Sequence, residues 1–291
     1  MATVTVVRPT VSQAAVPKIC LSNFQKGGLG LPPRIVIQGR PAVGKTTIAA
    51  QTPDPIFIMS PGETGLHTLI DSGQIPASIP NMEVSHWSNL MDILEELRTA
   101  KHSRKTLVLD VINGFEKLAN TFVCERDYGG DMTTKGFMNY QVGYRTVAMG
   151  EWKLFLSALD RLRTERKMMI LMLAHTGVGN HKNPQGDDFN RWMPMFDGKA
   201  AWEQTFAWSD AVLFADYEVH TTKKDDQPTT KAKGFGGSKR FLRVNWEAAF
   251  DAKNRYGWTE DIDMGNSGVD AWANLSAALK LNNNGKEPSN G

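Results

Sequence analysis

Short, wholly apolar runs recur along this chain, separated by segments whose apolar residues fall at helical spacing. Ile35-Val36-Ile37 predicts a strand over 34–38, and Pro55-Ile56-Phe57-Ile58-Met59 predicts a second. Thr106-Leu107-Val108-Leu109-Asp110 reads as a buried strand ending in an acid, with further strands over 168–174 and 211–215. Between them, Leu90, Ile93, Leu94 and Leu97 mark one face of a helix capped by Ser88. Phe115, Leu118 and Phe122 mark another, and Trp152, Phe155, Leu156, Leu159 and Leu162 a stronger third. Strands apolar on both faces, alternating with helices, predict an α/β fold with a mostly parallel central sheet and helices on both faces.

After Glu218 the texture changes. Strand-like runs over 217–222 and 240–246 flank a polar stretch holding Gly234, Gly236 and Gly237, which predicts a long antiparallel hairpin at the sheet edge. The expected organisation is an N-terminal arm over 1–33, a core over 34–262, a helical segment over 263–281 and a polar, disordered tail over 282–291.

Composition adds limits. With 41% hydrophobic and 22% charged residues, the 291-residue chain has the make-up of a soluble globular protein. It has no run of eighteen apolar residues and no charged-then-apolar leader, so the expectation is a cytoplasmic protein without membrane contact. Cys20 and Cys124 have no spacing for a metal or a disulfide framework. A net charge of +2 does not by itself argue for a nucleic-acid partner.

The chemistry concentrates after the first strand. Gly39-Arg40-Pro41-Ala42-Val43-Gly44-Lys45-Thr46, followed by Thr47, is a complete G-x-x-x-x-G-K-T phosphate loop entering a helix over about 45–51. Its glycines let backbone N–H groups close round phosphate oxygens. Lys45 reaches the β and γ phosphates, and the Thr46 hydroxyl coordinates Mg²⁺. ATP and Mg²⁺ are therefore the expected cofactors. A hydrolytic site also needs an acid at a strand end for the metal, and Asp110 has that place. It further needs a group that orients water, and Glu63, just past the second strand, is the candidate, with Glu116 as the fallback.

The succession of phosphate loop, Glu63-Thr64-Gly65-Leu66, Leu107-Val108-Leu109-Asp110, Leu171-Met172-Leu173-Ala174-His175, Trp208-Ser209-Asp210-Ala211-Val212-Leu213-Phe214 and Ala252-Lys253-Asn254-Arg255-Tyr256-Gly257 resembles the phage-encoded RecA-like P-loop ATPases. These include the Sak-type ATP-dependent single-strand annealing proteins, and the resemblance covers roughly residues 30–262. It implies a RecA-like core with Asp110 as the Walker B acid, Glu63 as the catalytic glutamate and His175 as the residue that senses the γ phosphate. It also implies that a loop over 176–199 contacts DNA, and that Lys253 and Arg255 reach nucleotide on a neighbouring subunit of a filament or ring. The function implied is ATP-driven annealing or strand exchange on single-stranded DNA, with a single-strand-binding protein as a further partner.

The residues themselves leave the DNA contacts open. In the 176–199 loop Lys182, Arg191 and Lys199 are offset by Asp187, Asp188 and Asp197, so a lid over nucleotide is an equal reading. The late hairpin is more basic, with Lys223, Lys224, Lys231, Lys233, Lys239, Arg240 and Arg243 against Asp225 and Asp226, which suits a phosphate backbone or simply a solvated hairpin. Two alternatives to the DNA reading stand beside it: a nucleotide-switched module that docks a protein, and a ring-forming helicase motor.

Overall fold

The computed structural model describes Phe24, residues 27–222 and residues 233–284, with backbone alone at 220–222, 233–235 and 281–284. Most of the expected arm, Cys20, Lys223, Lys224, Lys231 and the tail beyond 284 lie outside the described residues. Residues 1–30 and 31–291 are separate units, and everything below concerns the second.

Its sheet alternates with helices along the chain: β1 (Arg34–Gly39), α1 (Lys45–Ala49), β2 (Pro55–Met59), α2 (Gly65–Asp71), β3 (Asn81–Glu83), α3 (Trp87–Thr99), β4 (Thr106–Asp110) and α4 (Ile112–Tyr128). Then come α5 (Val142–Val147), α6 (Lys153–Glu165), β5 (Met169–His181), β6 (Phe189–Pro194), α7 (Lys199–Trp208), β7 (Ala211–Thr222), β8 (Lys233–Arg243), β9 (Lys253–Asn254), β10 (Ile262–Asp263) and α8 (Gly268–Asn284). Strand order is β10-β8-β7-β1-β5-β4-β2-β3, parallel from β7 through β3 and antiparallel where β8 and β10 add to the edge. This is the mostly parallel α/β sheet, with a C-terminal antiparallel hairpin, that the sequence pattern predicts, and it is consistent with the RecA-like core that the resemblance implies.

Alternate residues of each central strand feed opposite faces of the sheet. Val36, Ile58, Leu107, Leu109, Ile170 and Met172 pack with α3, α4 and α6 on one side, round the fully buried Trp152 and Phe155. Ile35, Ile37, Phe57, Val108, Leu171 and Leu173 pack with α1 and α8 on the other. Each such side chain contributes about 1.5–3 kcal/mol of burial, which explains why the apolar runs carry the fold. α8 begins at Gly268 rather than 263 and runs to Asn284, past the expected start of the tail at 282, and its Ala271 and Leu275 are buried in this second layer.

Four local expectations change. The 176–199 segment is not a loop: β5 runs on past the sheet and pairs antiparallel with β6. Gly177 lies against Met195 across that hairpin, and Gly179 leaves space that Met193 fills. The runs at 211–215 and 217–222 form one strand, with a register shift between Tyr217 and Val219. Its partner ends at Arg243 rather than 246, because Val244 N–H turns to the Asp261 carboxylate at 3.1 Å. Finally, Ser88 lies inside α3, whose N-cap is His86.

Candidate functional site

Parallel register brings the ends of four strands to one edge of the sheet. Gly39 pairs with His175, Asp110 with Leu173, and Met59 with Asp110. Since β5 lies between β1 and β4, the phosphate loop and the acid are a strand apart, and the crevice between them is where open parallel sheets bind ligands.

The loop is shaped by close approach. Any Cβ at Gly39 would lie 2.4 Å from the Ala215 carbonyl oxygen. Gly44 has φ 103°, a left-handed conformation that disfavours other residues. Lys45 is only 5% exposed; its Nζ donates to the carbonyls of Gly39 at 3.0 Å and Arg40 at 2.8 Å. Burial pulls this ammonium down to about 8, against the opposing attraction of Asp110 and Glu63.

Thr46 Oγ1 donates to Asp110 Oδ2 at 2.9 Å. Burial pushes the Asp110 carboxyl up to about 6; the Thr46 bond resists this and the neighbouring Glu63 charge adds to it. A hydroxyl and a carboxylate side by side are hard oxygen donors of the kind magnesium takes alongside phosphate oxygens and water. The donor set fits that ion.

His175 bridges the two halves of the site. Its Nδ1 lies 3.4 Å from Lys45 Nζ, and its Nε2 lies 3.3 Å from Glu63 Oε1. An ammonium can only donate, so Nδ1 is the acceptor and Nε2 carries the proton toward Glu63. Glu63 arrives by the Pro61-Gly62 turn, in which Gly62 has φ 83°. The backbone of His175 is held by Asn113, whose Oδ1 accepts from His175 N–H at 2.6 Å and whose Nδ2 donates to its carbonyl at 3.4 Å. Sequence reasoning missed Asn113; a polar residue in the first turn after the strand-ending acid is its only sequence signal.

Lys45, Thr46, Glu63, Asp110 and His175, with Pro41, Ala42, Gly44, Thr47 and Arg240, line a cleft of about 530 Å³. Val43 is buried beneath the loop, and the Arg40 guanidinium stacks 5.5 Å from the Trp192 ring of β6, linking loop and hairpin. Thr47 packs against Gly268, at the start of α8.

The residues expected at DNA divide. Arg191 is 5% exposed, paired with Asp251 at 2.8 Å and donating to the Glu247 carbonyl at 3.2 Å. It ties the β5–β6 hairpin to the 247–251 segment, so the charge expected to meet DNA is engaged within the chain. Lys182 is exposed but paired with Asp188, and Lys199 is exposed at the start of α7. Lys239 is exposed on β8, Lys233 is described by backbone alone, and Lys231 lies outside the described residues. Arg240 stands not on an outer face but against the phosphate loop.

Lys253 and Arg255 lie at the opposite end of the sheet. β9 pairs with the first two residues of β7, where Lys253 Nζ donates to the Ala207 carbonyl at 3.3 Å and Arg255 pairs with Asp210 at 3.3 Å. Partial burial and the nearby Arg255 pull Lys253 down to about 8. From here they face away from this chain's own loop. Glu116, the fallback for activating water, is buried and accepts the N–H groups of Asp197 at 3.0 Å and Gly198 at 2.8 Å, anchoring the approach to α7. Among the described residues no helix is long and apolar enough to cross a membrane.

A sequence profile of the AAA domain family matches residues 31–256. Comparison with curated proteins finds no match. Among solved structures, an ATPase from the type III secretion system of pathogenic bacteria is similar at a TM-score of 0.40 and 14% identity, over 63% of this chain and 52% of that one, so this chain spans about half its length. The RadB recombinase is similar at a TM-score of 0.38 and 13% identity, over 71% of this chain and 89% of that one.

Proposed function

This chain belongs to the AAA domain family, a P-loop ATPase domain, and from that premise we propose that it binds and hydrolyses ATP with Mg²⁺ and uses the cycle to govern its grip on single-stranded DNA. The observation that carries the ATPase reading is the pair of contacts joining Thr46 to Asp110 and, through His175, Lys45 to Glu63. Lys45 supplies charge to phosphate oxygens, and Thr46 and Asp110 would hold the ion. The magnesium, when bound, neutralises charge on the phosphates. Glu63 orients water, with its carboxylate held by the Nε2 proton of His175.

The route to a second ligand starts at the same histidine. β5 continues from His175 into the β5–β6 hairpin, whose Trp192 touches Arg40 of the loop, so a shift at the phosphate end has a short rigid path to the hairpin. In this reading the hairpin, Lys199 and Lys239 meet the DNA backbone, and Lys253 and Arg255 meet nucleotide on an adjacent copy in a filament or ring. Annealing or strand exchange of the kind performed by Sak-type phage proteins, with a single-strand-binding protein as helper, is the corresponding biological role.

One observation favours a second reading. With Arg191 buried and Lys182 neutralised by Asp188, the hairpin carries little free positive charge, which suits docking to a protein under nucleotide control. Steady-state ATPase assays with magnesium, with and without single-stranded DNA, test both. DNA stimulation that collapses as salt rises supports the first reading; turnover indifferent to DNA supports the second, and no turnover at all removes the ATPase assignment.

A further inference from the structure

The edge hairpin sends two side chains onto the phosphate loop. Tyr217 of β7 and Arg240 of β8 face each other in register. Tyr217 Oη donates to the Ala42 carbonyl at 3.4 Å; Arg240 Nη1 donates to the Val43 carbonyl at 3.4 Å and Nη2 to the Gly265 carbonyl at 3.3 Å. A Cβ at Gly44 would lie 2.7 Å from Arg240 Nη1, so the bare glycine leaves the space in which the guanidinium meets the loop.

Among the described residues that line the cleft, Arg240 and Lys45 are the arginine and the lysine, and they come from different parts of the sheet. Glu63, Asp110 and His175 come from the β2, β4 and β5 side of β1, where the hydrolytic groups converge on the terminal phosphate. Arg240 comes from β8, on the other side of β1. A triphosphate laid along the loop with its terminal phosphate at Glu63 and His175 turns its nucleoside end toward Arg240. The guanidinium has five N–H donors, and the two carbonyls take one from each Nη, leaving a planar fork with charge to spare.

We propose that Arg240 is a nucleotide-binding residue acting within its own chain, donating to the α-phosphate of the bound nucleotide. The assignment rests on the triphosphate reading of the cleft and adds to it a contact common to nucleoside di- and triphosphates. It also places Arg240, near the end of β8, in the nucleotide site.

The test is calorimetric titration of the full chain with a non-hydrolysable ATP analogue and with ADP, both with magnesium. Arg240→Ala weakens both ligands by about 10- to 100-fold and by the same factor, the range for a charged hydrogen bond. Arg240→Lys, which keeps the charge and the strand but not the fork, weakens both by a smaller factor. Unchanged affinity for both ligands overturns the proposal, as does a loss confined to the triphosphate, which would mean a γ contact. An equal loss from Tyr217→Phe overturns it too, since that variant removes a grip on the loop without touching a phosphate donor. If the wild-type chain binds neither ligand, the triphosphate reading falls and this assignment falls with it.

Discussion

Thr46, in the first turn of α1, and Asp110, at the end of β4, are joined by a 2.9 Å hydrogen bond across 64 residues of sequence. Neither residue is unusual where it stands, since apolar strands ending in an acid are common in parallel sheets. Their meeting is the product of β5 lying between β1 and β4, which sets the two strand ends one crevice apart.

The buried charges of the site set a pH window. The Asp110 carboxyl, raised to about 6, gains its charge as pH climbs through that value; the Lys45 ammonium, lowered to about 8, loses its charge as pH climbs further. If both charged forms are needed, kcat/KM for ATP rises through about pH 6 and falls through about pH 8, since that ratio reports the free enzyme. In kcat the alkaline limb moves upward, because bound phosphate holds the ammonium charged. A flat profile of kcat/KM from pH 5.5 to 9 would falsify these roles.

Lys45→Ala removes the ammonium from a site where it is desolvated and costly to hold. Nucleotide affinity falls on the order of 100-fold, while the melting temperature moves by no more than a few degrees, because the bonds lost to the Gly39 and Arg40 carbonyls are offset by relief of a desolvated charge. Calorimetry and a thermal melt on the same preparation check both halves.

Glu63→Gln keeps the shape of the side chain and removes its basicity. ATP binding persists and turnover drops about 100-fold or more, within the range for loss of a positioned general base. Single-turnover measurements read the chemical step directly; wild-type rates in the variant would move the role elsewhere.

Glu116 gives a contrasting result. Its buried carboxylate accepts two backbone N–H groups ahead of α7, so Glu116→Ala leaves both without their partner and destabilises the fold by about 2–4 kcal/mol. Denaturant unfolding measures that loss. Turnover per folded molecule stays near wild type, an outcome that a water-activating role for Glu116 does not allow.

Arg191→Ala separates a structural cation from a DNA contact. Removing it leaves Asp251 unpaired and costs about 1–3 kcal/mol of stability, seen as a lowered melting temperature. Where the chain binds single-stranded DNA, the slope of log affinity against log salt is unchanged by the substitution; a slope reduced by about one would return Arg191 to the phosphate backbone.

Much of this was legible in the sequence, for reasons visible in particular residues. Ile35-Val36-Ile37 and Leu107-Val108-Leu109 are apolar on both faces, which only a strand buried between helix layers satisfies. The 176–181 segment was not legible, because Gly177, Gly179 and Asn180 favour a loop over a strand by local propensity. They become a strand through the ladder to β6 and the packing of Met193 and Met195 over the glycines. Arg191 and Arg240 read alike, as cations in polar stretches, and burial sends one to Asp251 and the other to the phosphate loop.

From the residues alone came the alternation of strands and helices, the phosphate loop and the strand-ending acid, because local spacing and apolar burial carry them within a few residues of sequence. Tertiary structure decided which strand lies between β1 and β4, that Asn113 holds His175, and which cations face the nucleotide, the core or solvent. Those outcomes depend on partners 60 to 200 residues away, and distance in sequence carries no information about which charge will be desolvated.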